Sequence, residues 1–282
     1  MAPCSSFAGM RPPTGTEVAD GAAPASAARN GAGDDARIEA ARHALSENPR
    51  LWYHTIELAP GVVTPGFIDL RGTAERVLPD DMTGVRALDV GTFDGFWAFE
   101  MERRGAEVVA IDLERIEFAE FPPLRRQKLE ERREEEGFEL GVGFRLAAGA
   151  IGSGVDRVVC NVYDLTPEAI GGPVDLALNG ATLTHLRDPV RALERIHGAL
   201  APGGELLSVE PFSVPLTLRA RRRPSAEFRA ASTDYTWWLP NLAAIAAWLS
   251  AAAFADIRRL AITKPPSMEP ARYVAFSCRR PA

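Results

Sequence analysis

The passage that most constrains this chain is Ala87-Leu88-Asp89-Val90-Gly91-Thr92-Phe93-Asp94-Gly95. A short apolar run enters a turn bounded by two glycines, and from Phe96 an apolar stretch of helical character follows. A strand that is apolar throughout and feeds straight into a helix belongs in a parallel sheet covered on both faces. The same rhythm repeats along the chain. Buried-type strands are expected at Arg86–Val90, Glu107–Asp112, Arg157–Val162, Asp175–Asn179 and Glu205–Glu210, and helices at Gly95–Arg104, Leu124–Glu136, Phe138–Ile151, Pro189–Leu200 and Leu239–Ala252. Ile257–Thr263 and Arg272–Cys278 read as a terminal antiparallel hairpin. The predicted fold is therefore α/β, a Rossmann-like doubly wound and mostly parallel sheet.

Residues 1–35 mix Ala, Gly, Pro, Ser and Thr with few large side chains, a composition that predicts a disordered tail. Residues 36–84 form an N-terminal lid segment: a helix at Ala36–Leu45, an extended aromatic stretch at Leu51–Leu58, turns at Pro60-Gly61 and Pro65-Gly66, and a short helix at Thr73–Leu78. Residues 85–282 form the ligand-binding domain, with an insertion at 212–241 longer than an ordinary connection. No apolar run approaches the roughly 18–20 residues needed to span a bilayer, and the start lacks the pattern of an export signal, so the expected location is cytoplasmic. Cys4, Cys160 and Cys278 form no C-x-x-C pair, and no metal site is expected. A formal net charge of -6 disfavours a polyanionic partner and favours a small one.

The chemistry concentrates at the predicted strand ends. Gly91 and Gly95, with Thr92 between them, leave backbone bare for a ligand to approach. The spacing is G-x-x-x-G rather than G-x-G-x-x-G, and Asp89 and Asp94 would set negative charge against a pyrophosphate. A donor carrying an ammonium and a sulfonium suits these carboxylates better. Twenty-one positions after Gly91, Asp112 ends the next strand, beside Leu113, where a carboxylate accepts both hydroxyls of a ribose. Val162, Tyr163 and Asp164 are placed around the adenine. Asn179 and Gly180 are placed at the switch point, and Arg71 against the donor's carboxylate.

At these residues the chain resembles the class I S-adenosylmethionine-dependent methyltransferases, in which an acidic-x-glycine turn follows the first strand and an acidic residue ends the second. Thr182-Leu183-Thr184-His185-Leu186-Arg187-Asp188-Pro189 and Leu200-Ala201-Pro202-Gly203-Gly204-Glu205-Leu206 are similar to that family's signatures after the fourth strand and before the fifth. Trp52-Tyr53-His54-Thr55, Val90 to Trp97 and Trp238-Leu239-Pro240-Asn241 resemble the subfamily of bacterial tRNA wobble-uridine carboxymethyl transferases and related natural-product methyltransferases. Those tRNA enzymes carry tyrosine where this chain has Thr184, which makes ordinary S-adenosyl-L-methionine the expected cofactor.

Methyl transfer from a sulfonium draws its driving force from the donor, so the protein aligns the acceptor and removes a proton where one must leave. The candidate bases are His185, Glu210 and His54. Acceptor contacts are expected from Trp52 and Tyr53 in the lid and from Tyr235, Trp237, Trp238 and Asn241 in the insertion. The exposed run Arg219–Arg223 reads as solvated surface. The resulting expectation is methylation of an oxygen or nitrogen on a small molecule of natural-product or antibiotic biosynthesis. The alternatives are a tRNA wobble-uridine methyl or carboxymethyl transferase and a catalytically inactive scaffold.

Overall fold

In the computed structural model, residues 31–48, 52–123, 126–128, 131, 139–231, 235–265 and 271–282 are described. The elements in chain order are α1 (Gly31–Glu47), β1 (Glu57–Ala59), β2 (Val62–Val63), α2 (Arg71–Val77), β3 (Arg86–Val90), α3 (Phe96–Arg103) and β4 (Glu107–Asp112). Then come α4 (Val142–Ile151), β5 (Asp156–Val159), β6 (Val174–Gly180), α5 (Pro189–Ala199), β7 (Leu200–Phe212) and α6 (Val214–Ala220). The chain closes with β8 (Ala226–Phe228), β9 (Trp238–Pro240), α7 (Leu242–Ala251), β10 (Ala255–Thr263) and β11 (Arg272–Arg279).

One seven-stranded sheet runs in the order β10-β11-β7-β6-β3-β4-β5. β3 to β7 are mutually parallel, while β11 runs antiparallel to both β7 and β10. After β4 the chain crosses back over β3 to form β6, so the strand order reverses beside β3, where open α/β sheets bind their ligands. The doubly wound expectation and its C-terminal hairpin therefore hold.

The central strands are apolar on both faces because both are covered. Ala87, Val108, Ala110, Leu176 and Leu178 join the core under α1 to α4. Leu88, Val109, Ile111 and Ala177 join the core under α5 and α7. Each such fully buried Leu or Ile contributes about 1.5–3 kcal/mol, so the middle of the sheet is the most firmly held part of the molecule.

Several boundaries move for identifiable reasons. β7 reaches Phe212 because β11 pairs with it from Glu205 to Phe212. β5 stops at Val159 because the Asn161 Oδ1 accepts the Tyr163 N–H and turns the chain into a single 3-10 turn, Val162–Asp164. α7 starts at Leu242 rather than Leu239, since Trp238–Pro240 pair with Ala226–Phe228 as a small hairpin. α4 starts at Val142, after Gly141 in a left-handed conformation. The expected helix at Leu124–Glu136 lies outside the described residues apart from 126–128 and 131, which are helical. The tail expected over 1–35 lies outside them as far as residue 30, and its last five residues are the first of α1. Among the described residues no helix is long and apolar enough to cross a membrane.

Candidate active site

The bend after β3 is fastened to its neighbour by main-chain bonds: the Gly91 and Thr92 N–H groups both donate to the Ile111 carbonyl, at 2.9 and 3.1 Å. Phe93 sits at φ 52°, a conformation that non-glycine residues rarely adopt. That strain turns the Phe93 N–H onto Asp112, whose Oδ2 accepts it at 2.7 Å while Oδ1 accepts the Leu113 N–H at 2.7 Å. Burial pushes the Asp112 carboxyl up from its ordinary value, against these two hydrogen bonds. A carboxylate has about four lone-pair sites, so each oxygen keeps capacity for one further donor. Asp112 thus faces the bend and fits the paired hydroxyls of an adenosyl ribose.

The other two carboxylates of the bend are already engaged, which corrects the expectation that they meet the donor. Asp94 is buried; its Oδ2 accepts the N–H groups of Tyr53 and His54, each at 2.9 Å, and its Oδ1 takes the His54 Nδ1. Asp89 is buried beneath α3, where its Oδ2 accepts the Ala98 N–H at 3.1 Å, and burial lifts its carboxyl to about 7. The bare faces of the glycines are likewise used by the protein. A β-carbon on Gly91 would lie 2.8 Å from the Thr182 hydroxyl, one on Gly95 would strike Phe99, and one on Gly180 would strike the Trp97 indole. Thr92 is buried within the turn.

The lid segment is clasped rather than loose. His54, expected as a base, is held by Asp94 and stacks on Phe96 with centroids 5.6 Å apart. Trp52 is buried in the core, so it is packing rather than acceptor surface. Tyr53 keeps a place over the bend, its ring 5.2 Å from that of Phe93. Arg71 is not at the donor edge. Asp69, two residues earlier, takes its guanidinium at 2.7 Å, and the pair lines a groove of about 1280 Å³ between β1, α2 and the outer face of α3.

Beyond β5, Val162 is buried in the core and Asp164 is exposed. The Tyr163 hydroxyl donates to Glu120 Oε2 at 2.9 Å and accepts the Asp188 N–H at 3.0 Å, and burial raises its pKa. Tyr163 therefore braces the start of α5 instead of reading an adenine edge. Asn241 is also structural: it caps α7 by accepting the Ala244 N–H at 2.8 Å, and it donates to the Arg223 carbonyl at 2.9 Å. Glu210 is fully buried, away from any mouth and from Arg219–Arg223. Its Oε1 accepts from Asn179 Nδ2 at 2.5 Å and from the Leu183 N–H at 3.2 Å, and burial lifts the carboxyl to about 8. At neutral pH it is an uncharged acid that anchors the turn after β6, which disqualifies it as a base.

That turn carries His185. Its Nδ1–H donates to the Tyr235 carbonyl at 2.6 Å, which leaves the lone pair on Nε2, and burial holds its pKa below the ordinary value. Over it lies the hairpin β8–β9. The Trp237 N–H donates to the Thr184 carbonyl at 2.8 Å, its indole N–H to the Glu120 carbonyl, and the Arg187 guanidinium lies 4.9 Å from its ring centroid. The Trp238 indole donates to the Arg187 carbonyl at 3.1 Å on the outer side. Sequence reasoning missed Glu120 and Phe121, which meet residues 43 to 117 positions away. It also missed Ala181, at φ 60° in the turn after β6. None of these has a local signature.

A family profile described as a methyltransferase domain matches residues 67–259. The chain is 30% identical over 186 residues to the tRNA U34 carboxymethyltransferase of Azotobacter vinelandii, covering 65% of this chain and 50% of that protein. It is 31% identical over 186 residues to the protein of the same name from Pseudomonas aeruginosa strain LESB58, covering 65% and 49%. The chain spans about half the length of the curated relatives it matches. Among solved structures, an S-adenosylmethionine-dependent methyltransferase from Methanosarcina mazei is 16% identical, covers 76% of this chain and 99% of that one, and superposes with a TM-score of 0.49.

Proposed function

The chain belongs to the methyltransferase-domain family of S-adenosylmethionine-dependent enzymes, and from that premise we propose that it delivers its one-carbon group to an oxygen or nitrogen of an acceptor held against His185. The observation that carries this reading is the bond from His185 Nδ1 to the Tyr235 carbonyl. It fixes the neutral tautomer whose Nε2 can take a proton, at the carboxyl edge of the sheet shared with Asp112. Bound at that edge, S-adenosylmethionine supplies the electrophilic methyl group. Asp112 orients the donor, the cap excludes water, and His185 accepts the proton of the attacking atom.

For the class of acceptor, the names of the relatives favour tRNA, modified at the wobble uridine, over a free small molecule. The second reading, a small molecule of natural-product biosynthesis, is supported by the net charge of -6. The deciding experiment incubates the protein and labelled S-adenosylmethionine with undermodified tRNA and, separately, with a metabolite extract, and identifies the product by mass spectrometry. A labelled product with His185→Ala slowed about 100-fold in kcat at unchanged donor affinity is the expected result. An unaltered kcat in that variant removes His185 as the base. Transfer to neither pool removes the activity itself.

A further inference from the structure

We infer that Phe121, together with Tyr235 and His185, forms the acceptor subsite, and that this subsite takes a planar aromatic or heteroaromatic ring. The inference rests on the donor reading above and concerns the other half of the same site. The three residues come from separate elements: Phe121 from the segment after β4, His185 from the turn after β6, and Tyr235 from the insertion. Their rings meet in a corner. Phe121 and His185 have centroids 5.8 Å apart with planes at 82°, and Phe121 and Tyr235 have centroids 5.6 Å apart with planes at 73°.

Edge-to-face contacts of this kind satisfy the ring edges and leave ring faces free to receive a flat partner. All three side chains are half-buried, between the sealed core and open surface. The corner is kept in shape by bonds that do not involve its own faces. Glu120, the neighbour of Phe121, accepts the Trp237 indole N–H at its carbonyl and the Tyr163 hydroxyl at its carboxylate. His185 is fixed through Nδ1 to the main chain of Tyr235, so its ring cannot swing away. A flat ring stacked on Phe121 brings a substituent oxygen or nitrogen toward the imidazole, while a flexible aliphatic acceptor gains nothing from these walls.

A nucleobase and a free phenolic ring share this chemistry, and two probes separate the sources. Protein saturated with S-adenosylhomocysteine is titrated with uridine and, separately, with 1-naphthol, with saturation-transfer NMR reporting which protons touch the protein. At least one ring should bind through its ring protons. Phe121→Ala should weaken it about tenfold or more, the scale of one aromatic stacking contact. Phe121→Tyr should restore it to within a few fold, and affinity for S-adenosylhomocysteine should stay unchanged in both variants. Tyr235→Leu, which keeps the carbonyl that holds His185, should weaken the same probe and guards against a folding defect in the first variant. If uridine binds more tightly, the ring comes from a nucleic acid; if naphthol does, it comes from a free aromatic. Binding of neither ring to the loaded protein, or equal binding to Phe121→Ala and the parent, overturns the subsite. Failure of the parent to bind S-adenosylhomocysteine overturns the donor reading instead.

Discussion

The ledge that receives the donor and the cap over the acceptor lie side by side at one edge of the sheet, yet they are built on different principles. The ledge consists of adjacent parallel strand ends, and its turn is fixed by main-chain bonds to Ile111 and by Asp112. The cap consists of short irregular pieces joined by single bonds over long stretches of chain, such as Trp237 to Glu120 and His185 to Tyr235. Side-chain substitution on the ledge should therefore alter what binds and leave the frame intact. Substitution in the cap should loosen the acceptor half while the donor still binds. The seam between the two is the turn after β6, anchored from below by Glu210.

The largest effect should come from that seam. Glu210 has an ordinary value of 4.5 and is lifted to about 8 by burial in the folded protein. Between these values the folded state holds a proton that the unfolded chain has released, so stability falls as pH rises through the window, by about 1.4 kcal/mol per pH unit. Glu210→Gln keeps an acceptor for Asn179 and Leu183 and removes that slope. Urea unfolding of parent and variant at pH 5, 6, 7 and 8 should give curves that diverge with pH, and parallel curves would show the carboxyl to be ionised throughout.

A smaller change is expected from the ledge. Asp112→Ala should weaken S-adenosylmethionine binding about 100-fold by calorimetry, since two hydrogen bonds to a charged group are lost at about 1.5–3 kcal/mol each. Parent-like affinity would show that the ledge is not where the donor sits. The smallest change belongs to the cap. Trp237→Phe keeps most of the ring and loses the indole bond to Glu120, at a cost of about 1 kcal/mol. Hydrogen exchange should rise in β8–β9 while donor affinity holds; a matching loss of donor binding would erase the distinction between the two regions.

Reading the sequence for periodicity located the sheet well because β3, β4 and β6 are buried on both faces and therefore apolar throughout. The same reading misassigned Asp94, Asp89 and Arg71 because a carboxylate or guanidinium beside a binding turn does not reveal whether its partner is a ligand or the protein. Asp94 is satisfied by main chain 40 and 41 positions earlier, and no local pattern encodes that bond. Tyr163 and Asn241 were misread for the same reason, since both look like recognition groups until their bonds to α5 and to the start of α7 are seen.

By itself, the sequence determined the strand–helix alternation, the bend after β3 and the position of Asp112 at the end of the next strand, all of which follow from short-range periodicity and turn chemistry. Only the tertiary structure decided which polar groups are already spent inside the protein, that Glu210 is a buried neutral acid, and that Phe121 and Glu120 stand beside His185. Those outcomes depend on desolvation and on contacts between distant segments, and neither is written in the spacing of neighbouring residues.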